Sequence, residues 1–222
     1  MIPMLRKSLA VRMLPVIVAV MLLSEGTPAE LVVLDQISEV RAVSVDGSVI
    51  AGRLGLSDGP AAFRNSSAFR WSRQEGLVEL ESLNDGDQRV SAGTLSADGM
   101  VAAGVSWDPV PTRAVRWVGT GPAENLGALP GNFGSVAQDM SADGSVIVGR
   151  NYAIGPTINT AFRWTEADGM QELGSLGSAN STWALGVSGD GSTIVGSAAI
   201  IAHSDANIGH EAFIWTEEDG MC

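Results

Sequence analysis

Ser141-Ala142-Asp143-Gly144-Ser145-Val146-Ile147-Val148-Gly149 is written, with small changes, four times in this chain: at Ser44 to Gly52, Ser96 to Gly104, Ser141 to Gly149 and Ser188 to Gly196. Each copy runs Ser, one residue, Asp-Gly, then a short apolar run closed by Gly. The Asp falls at Asp46, Asp98, Asp143 and Asp190, at spacings of 52, 45 and 47 residues. Repetition at this period marks an array of similar supersecondary units. Asp-Gly between two apolar segments predicts a hairpin with a tight turn, because such a turn needs positive φ that Gly tolerates. The near-continuous apolar run after it predicts a strand covered on both faces.

A second marker follows each copy: Ala68-Phe69-Arg70-Trp71, Ala114-Val115-Arg116-Trp117, Ala161-Phe162-Arg163-Trp164 and Ala212-Phe213-Ile214-Trp215. Alternation puts Phe162 and Trp164 on one strand face and Ala161 and Arg163 on the other. The aromatic face is the core face. The arginines sit opposite, where each pairs with an acid of its own or the next unit; Ile214 breaks the series. A third marker is Gly76 to Leu80, Asn125 to Leu129 and Gly169 to Leu173; the fourth copy reaches Gly220-Met221. The unit is therefore a four-stranded antiparallel meander of about 47 residues, in the size range of a propeller blade. The predicted fold is all-β: a β-propeller-like array of four blades at about 39–83, 90–129, 135–176 and 181–222, as an incomplete ring. A β-solenoid is the competing fold, and two tight turns per unit favour the meander.

Both Asp-Gly-type turns of a meander lie on one edge. The opposite edge carries the long, diverse segments 53–67, 105–113, 150–160 and 197–211. Binding tends to sit on such variable segments of a rigid scaffold. Residues 31–37 resemble one more outer strand, which would either seal a closed four-blade ring or leave the chain a fragment of a longer array. The fragment is the expected case, because Glu217 to Met221 begins an outer strand of its own.

The first 29 residues read as a signal peptide. Arg6, Lys7 and Arg12 precede the apolar run Met13 to Leu23, and Thr27-Pro28-Ala29 supplies small residues for cleavage after Ala29. That run is too short for a comfortable membrane span. The segment holds three of the 13 basic and one of the 25 acidic residues, so the remainder, 30–222, carries a formal charge of −14. Such an acidic surface repels phosphate backbones and disfavours nucleic acid. The expected location is extracellular, at the cell surface or in the periplasm, with no integral membrane segment after cleavage. The lone cysteine, Cys222, permits no internal disulfide.

The three markers in fixed order, four times over, resemble the HAF family of bacterial extracellular repeats, across residues 31–222. The resemblance implies an exported or surface-located repeat protein. Ser67, Arg113, Thr160 and Glu211 stand where that family's His would be, so no role of the His carries over.

No catalytic constellation appears: there is no Gly-x-Ser-x-Gly and no phosphate-binding Gly-rich loop with Lys. One Asp per turn is what turn chemistry asks for, and calcium needs several oxygen ligands per ion; Asn84-Asp85-Gly86-Asp87 comes nearest but lacks the closing Glu. No cofactor is expected. The only histidines, His203 and His210, share a segment with Asp205, in a spacing that matches no metal-ligand pattern. Trp107 and Trp183 fall outside the strand marker and are the better aromatic candidates for an exposed binding surface. Trp107, Trp183, His203, Asp205 and His210 thus define the candidate surface, for a protein or glycan ligand. The expected function is a noncatalytic binding or adhesion scaffold. The alternative is a glycan-active enzyme using carboxylates of the variable edge, such as Asp58, Asp108 or Asp205, at a suitable separation.

Overall fold

The computed structural model describes residues 18–22, 30–34, 37–55, 66–83, 89–107, 111–153, 158–201 and 207–222. A two-stranded sheet comes first, β1 (Val18–Leu22) against β2 (Glu30–Leu34). Four four-stranded antiparallel sheets follow. The first blade is β3 (Ile37–Val43), β4 (Val49–Leu54), β5 (Ser67–Ser72) and β6 (Gly76–Leu80). The second is β7 (Val90–Leu95), β8 (Val101–Ser106), β9 (Arg113–Val118) and β10 (Glu124–Asn125). The third is β11 (Gly134–Met140), β12 (Val146–Tyr152), β13 (Asn159–Thr165) and β14 (Gly169–Glu172). The fourth is β15 (Ser181–Val187), β16 (Thr193–Ile201), β17 (Asn207–Thr216) and β18 (Gly220–Met221). Every sheet is a meander in chain order, and every pairing within it is antiparallel. This is the propeller-like array and excludes the solenoid.

The repeated turn forms where Asp-Gly predicts it, between the first two strands of each blade. It spans the five residues Ser141–Ser145, and only Gly144, at φ 72°, takes the left-handed region. Side chains do the work a shorter turn leaves to the backbone. One oxygen of Asp143 accepts hydrogen bonds from the Ser141 hydroxyl (2.7 Å), the Ser145 N–H (3.0 Å) and the Ser145 hydroxyl (2.8 Å). Ser141 Oγ in turn accepts the Val146 N–H at 3.0 Å. The other three copies repeat this network, with Met100 replacing the second Ser in the second blade. Bonds from Ser141 and Ser145 hold the Asp143 carboxyl down to about 2. Asp46 and Asp190 lie equally low for the same reason, and Asp98 is lowered mainly by its bond from Ser96.

The closing Gly has a different task. Each first strand carries a β-bulge, as between Ala137 and Asp139, that pushes backbone toward the second strand. A Cβ on Gly149 would lie 2.1 Å from the Val136 carbonyl oxygen, and the other three closing glycines are as tightly placed.

The core lies between blades. Ala103, Ala114, Leu126 and Leu129 of the second blade pack on Ala137, Met140, Ile147, Phe162 and Trp164 of the third. The other two joints use equivalent residues. So the Ala/Arg face of one blade meets the aromatic face of the next, and the apolar run of β12 is buried on both sides, as expected. A polar chain links the turns across the joints: the Val45 N–H donates to the Ala97 carbonyl, Ala97 to Ala142, and Ala142 to Gly189 (2.9, 2.7 and 2.8 Å).

Two expectations change. Strand pairing extends from Ser197–Ala212 out to Ile201–Asn207, so the segment expected as a loop over 197–211 is mostly strand; Ala198 to Ile201 supply an apolar continuation that lengthens β16. The 150–160 segment shortens likewise, since β12 reaches Tyr152 and β13 starts at Asn159. Residues 31–37 close no ring: β2 pairs with β1, Ile37 opens β3, and the fourth blade has its own outer strand, where Ile214 and Cys222 exchange both backbone bonds. The Asn84–Asp87 stretch lies outside the described residues.

Candidate functional site

Of the five candidate residues, the structure brings two together. Trp183 sits on β15 and His210 on β17, on either side of β16. In the register, Trp183 opposes Ser197 and His210 opposes Ala199. Period-two alternation then places Trp183, Ser197 and His210 on one face, shared with Ala212 and Ile214. The indole and imidazole centroids are 5.7 Å apart with a 35° tilt. Ser197 Oγ lies 3.3 Å from His210 Nδ1. Trp183 is half-buried and His210 exposed. The arrangement offers an aromatic face with a hydroxyl and an imidazole at its rim. Such a surface stacks on a flat apolar group and hydrogen-bonds at its edge.

Trp107 stands apart. It belongs to the second blade, half-buried after β8, with its backbone N–H bonded to the Arg89 carbonyl at 2.8 Å. No contact joins it to Trp183 among the described residues. His203 and Asp205 lie outside the described residues, as do the alternative carboxylates Asp58 and Asp108. Among the described residues, no cluster of three or more His, Cys, Asp or Glu is placed to hold a metal ion.

Ser197 was missed in the sequence because its role depends on β16 running on past Gly196. Asp139 was missed as well. It follows the bulge of β11, and its carboxylate accepts the Val187 N–H at 2.9 Å from the fourth blade and faces the Thr94 hydroxyl of the second at 3.4 Å. Its counterparts are Ala42, Thr94 and Gly186, so the repeat gives no hint of it.

The strand arginines pair as the sequence led one to expect. Arg70 bonds Glu75 of its own blade and the Gly99 carbonyl of the next. Arg116 bonds Glu124 of its own blade (2.6 Å) and Glu166 of the next (3.1 Å), and lies 4.6 Å over the Trp164 ring. Arg163 and Asp168 stand at 4.0 Å. Arg70 and Arg116 are spent on their joints and Arg163 faces Asp168 of its own blade, so each is matched with an acid rather than left for an anion site. A groove of about 320 Å³ opens on the turn edge between the third and fourth blades, lined by Arg163, Thr193, Trp215, Glu217 and Asp219.

No family model matches the chain, and neither does any curated protein. Solved β-propellers do. TolB from Acinetobacter baumannii aligns with a TM-score of 0.51 at 15% identity, over 87% of this chain and 47% of that one. A putative TolB from Agrobacterium tumefaciens gives 0.55 at 13% identity, over 87% and 64%. The β-propeller domain of the Trilobed protease from Pyrococcus furiosus, which has an open velcro topology, gives 0.54 at 13% identity, over 86% and 59%. The chain thus has the β-propeller fold and spans about half to two thirds of the propeller chains it matches. Among the described residues, no helix is long and apolar enough to cross a membrane.

Proposed function

We propose that the chain is an exported, noncatalytic propeller of the HAF-repeat type that binds a protein or glycan ligand along its variable edge. One observation carries this reading. The turn edge repeats one hydrogen-bonded network four times, whereas the segments toward the opposite edge differ in sequence in every blade, and the Trp183–His210 pair stands on the fourth blade's face beside that edge. A scaffold that keeps one edge constant and varies the other is organised for recognition. The basic and apolar leader that ends at Ala29 supports export to the periplasm or cell surface.

The test is binding of the protein to an immobilised glycan array and to extracts of bacterial envelope proteins. Trp183→Ala is expected to lower affinity at least tenfold, as loss of a buried aromatic contact does, while leaving the fold intact. Binding that survives both Trp183→Ala and His210→Ala unchanged overturns this placement of the site.

A further inference from the structure

One contact is made at the joint between the second and third blades and is not made at the next. The Arg116 guanidinium lies 4.6 Å from the centre of the Trp164 ring and bonds Glu166 at 3.1 Å. Trp164 and Glu166 thus form a receptor for a guanidinium, an aromatic face with a carboxylate at its rim. The repeat writes that receptor again. Trp215 and Glu217 stand at the matching positions of the fourth blade, and Arg163 at the position of Arg116. Among the described residues Arg163 makes no ion pair with Glu217, and it turns to Asp168 of its own blade at 4.0 Å. The outer strand supplies the reason. Glu124 opposes Arg116 in the register and holds its Nε at 2.6 Å. Gln171 opposes Arg163, and its side chain donates to the Asp168 carbonyl at 3.0 Å.

The groove of about 320 Å³ opens where that contact would lie, lined by Arg163, Thr193, Trp215, Glu217, Glu218 and Asp219. Trp215 packs against the cluster that holds Val146, Val148 and Ala161 of the third blade. Alternation sets it on the strand face opposite Ala212 and Ile214. The groove therefore belongs to a joint with a described blade on both sides. Its charges do not balance. Asp168 answers Arg163, and Asp219 accepts the Thr216 hydroxyl at 3.1 Å. Glu217 and Glu218 are exposed and have no ion pair among the described residues.

We propose that this groove is a binding site for an arginine side chain of a basic partner polypeptide. The guanidinium lies against Trp215 and pairs with Glu217, as that of Arg116 does with Trp164 and Glu166. Glu218 adds a second negative charge beside it. Arginine fits better than lysine, because a planar guanidinium stacks on an indole while its edge bonds a carboxylate. The groove is near the lower end of ligand-site volumes, about 300–1,000 Å³, which suits one long side chain. The formal charge of −12 favours the approach of a basic partner. The site lies on the turn edge, away from the variable segments, and does not depend on the ligand proposed for them.

Titration of isotope-labelled protein with Nα-acetyl-arginine amide tests this, read by NMR from the Trp215 indole N–H signal and assigned with Trp215→Phe. The wild type is expected to give a saturable shift. The neutral isostere, Nα-acetyl-citrulline amide, is expected to leave the signal in place. Free arginine carries its own carboxylate and is expected to bind more weakly than the amide. Glu217→Gln combined with Glu218→Gln is expected to weaken binding roughly threefold or more, as loss of exposed ion pairs does. Both side chains are exposed, so the double variant should keep the wild-type circular dichroism. Arg163→Gln removes a positive charge from the groove and is expected to bind at least as tightly as the wild type. A Trp215 signal that does not move overturns the proposal, as does an equal response to the citrulline probe or wild-type affinity in the double variant. Tighter binding of free arginine overturns the polypeptide as occupant. Binding that appears only in Arg163→Gln also overturns the proposal, because Arg163 would then itself occupy the Trp215–Glu217 pair.

Discussion

The joint between the second and third blades and the free face of the fourth are made from the same repeat positions, yet they differ in what surrounds them. At the joint, Ala103 and Ala114 are fully buried beneath Ile147 and Phe162. At the free face the corresponding Val195 and Ala212 are exposed. The turns and bulges are alike in both places, and the strands follow the same order. Local structure is thus a property of each repeat, whereas burial is a property of having a neighbour, as in other quasi-one-dimensional arrays. The arginines show the same split. Arg116 reaches Glu166 and Trp164 of the next blade, and the fourth blade carries Ile214 in its stead.

The sharpest way to break the comparison is to hollow out a joint. Trp117 is fully buried and donates its indole N–H to the Glu81 carbonyl of the first blade at 2.8 Å. Trp117→Ala should destabilise by about 3–5 kcal/mol, while Ile214→Ala stays within about 0.5 kcal/mol, both read from urea midpoints. Equal losses would mean that the free face is covered in solution. A second test uses the turn. Gly144→Ala places a Cβ 2.8 Å from Val101 Cβ as well as at positive φ, so about 2–3 kcal/mol is expected. Gly47→Ala meets only the φ cost, about 1 kcal/mol. The difference between the two reads the joint directly.

The smallest effect sharpens the other side of the comparison. The carboxyls of Asp143 and Asp190 are held to about 2 by bonds from their own turns, below the ordinary 3.8. A carboxyl lowered by folding stabilises the fold above its ordinary value, and that contribution fades as pH falls from about 4 to about 2. Asp143→Asn and Asp190→Asn should each flatten the loss of stability across that window, and by the same amount. The equality matters, because the Asp143 turn has a blade on both sides and the Asp190 turn a described blade on one side only. Chemical denaturation at half-unit pH steps from 5 to 2 measures it.

The blade itself was legible in the sequence because its determinants are local. The Ser-x-Asp-Gly turn, the apolar run and the Ala-Phe-Arg-Trp strand each state their own conformation. The side-chain closure of the turn was not legible, since Ser141 Oγ accepts the Val146 N–H across it, while Asp-Gly alone speaks only for a tight turn. Strand length failed at 197–211 because Ala198 to Ile201 carry β pairing into a segment whose polar neighbours read as loop. Of the candidate surface, Trp183 and His210 met because an intervening strand set their register. Trp107 did not join them, because spacing along the chain says nothing about which blade faces which.

The one-way chain of turn bonds, Val45 to Ala97 to Ala142 to Gly189, also bears on how such a gene can change. Each link joins identical positions in successive units, so a duplicated or deleted whole unit rejoins the chain with every donor still facing an acceptor. A cut that is not a whole multiple of the unit sets the bulge of one strand against the wrong residue of its partner. Length variation in this architecture is therefore quantised, with the cassette between two aspartates as its smallest heritable step.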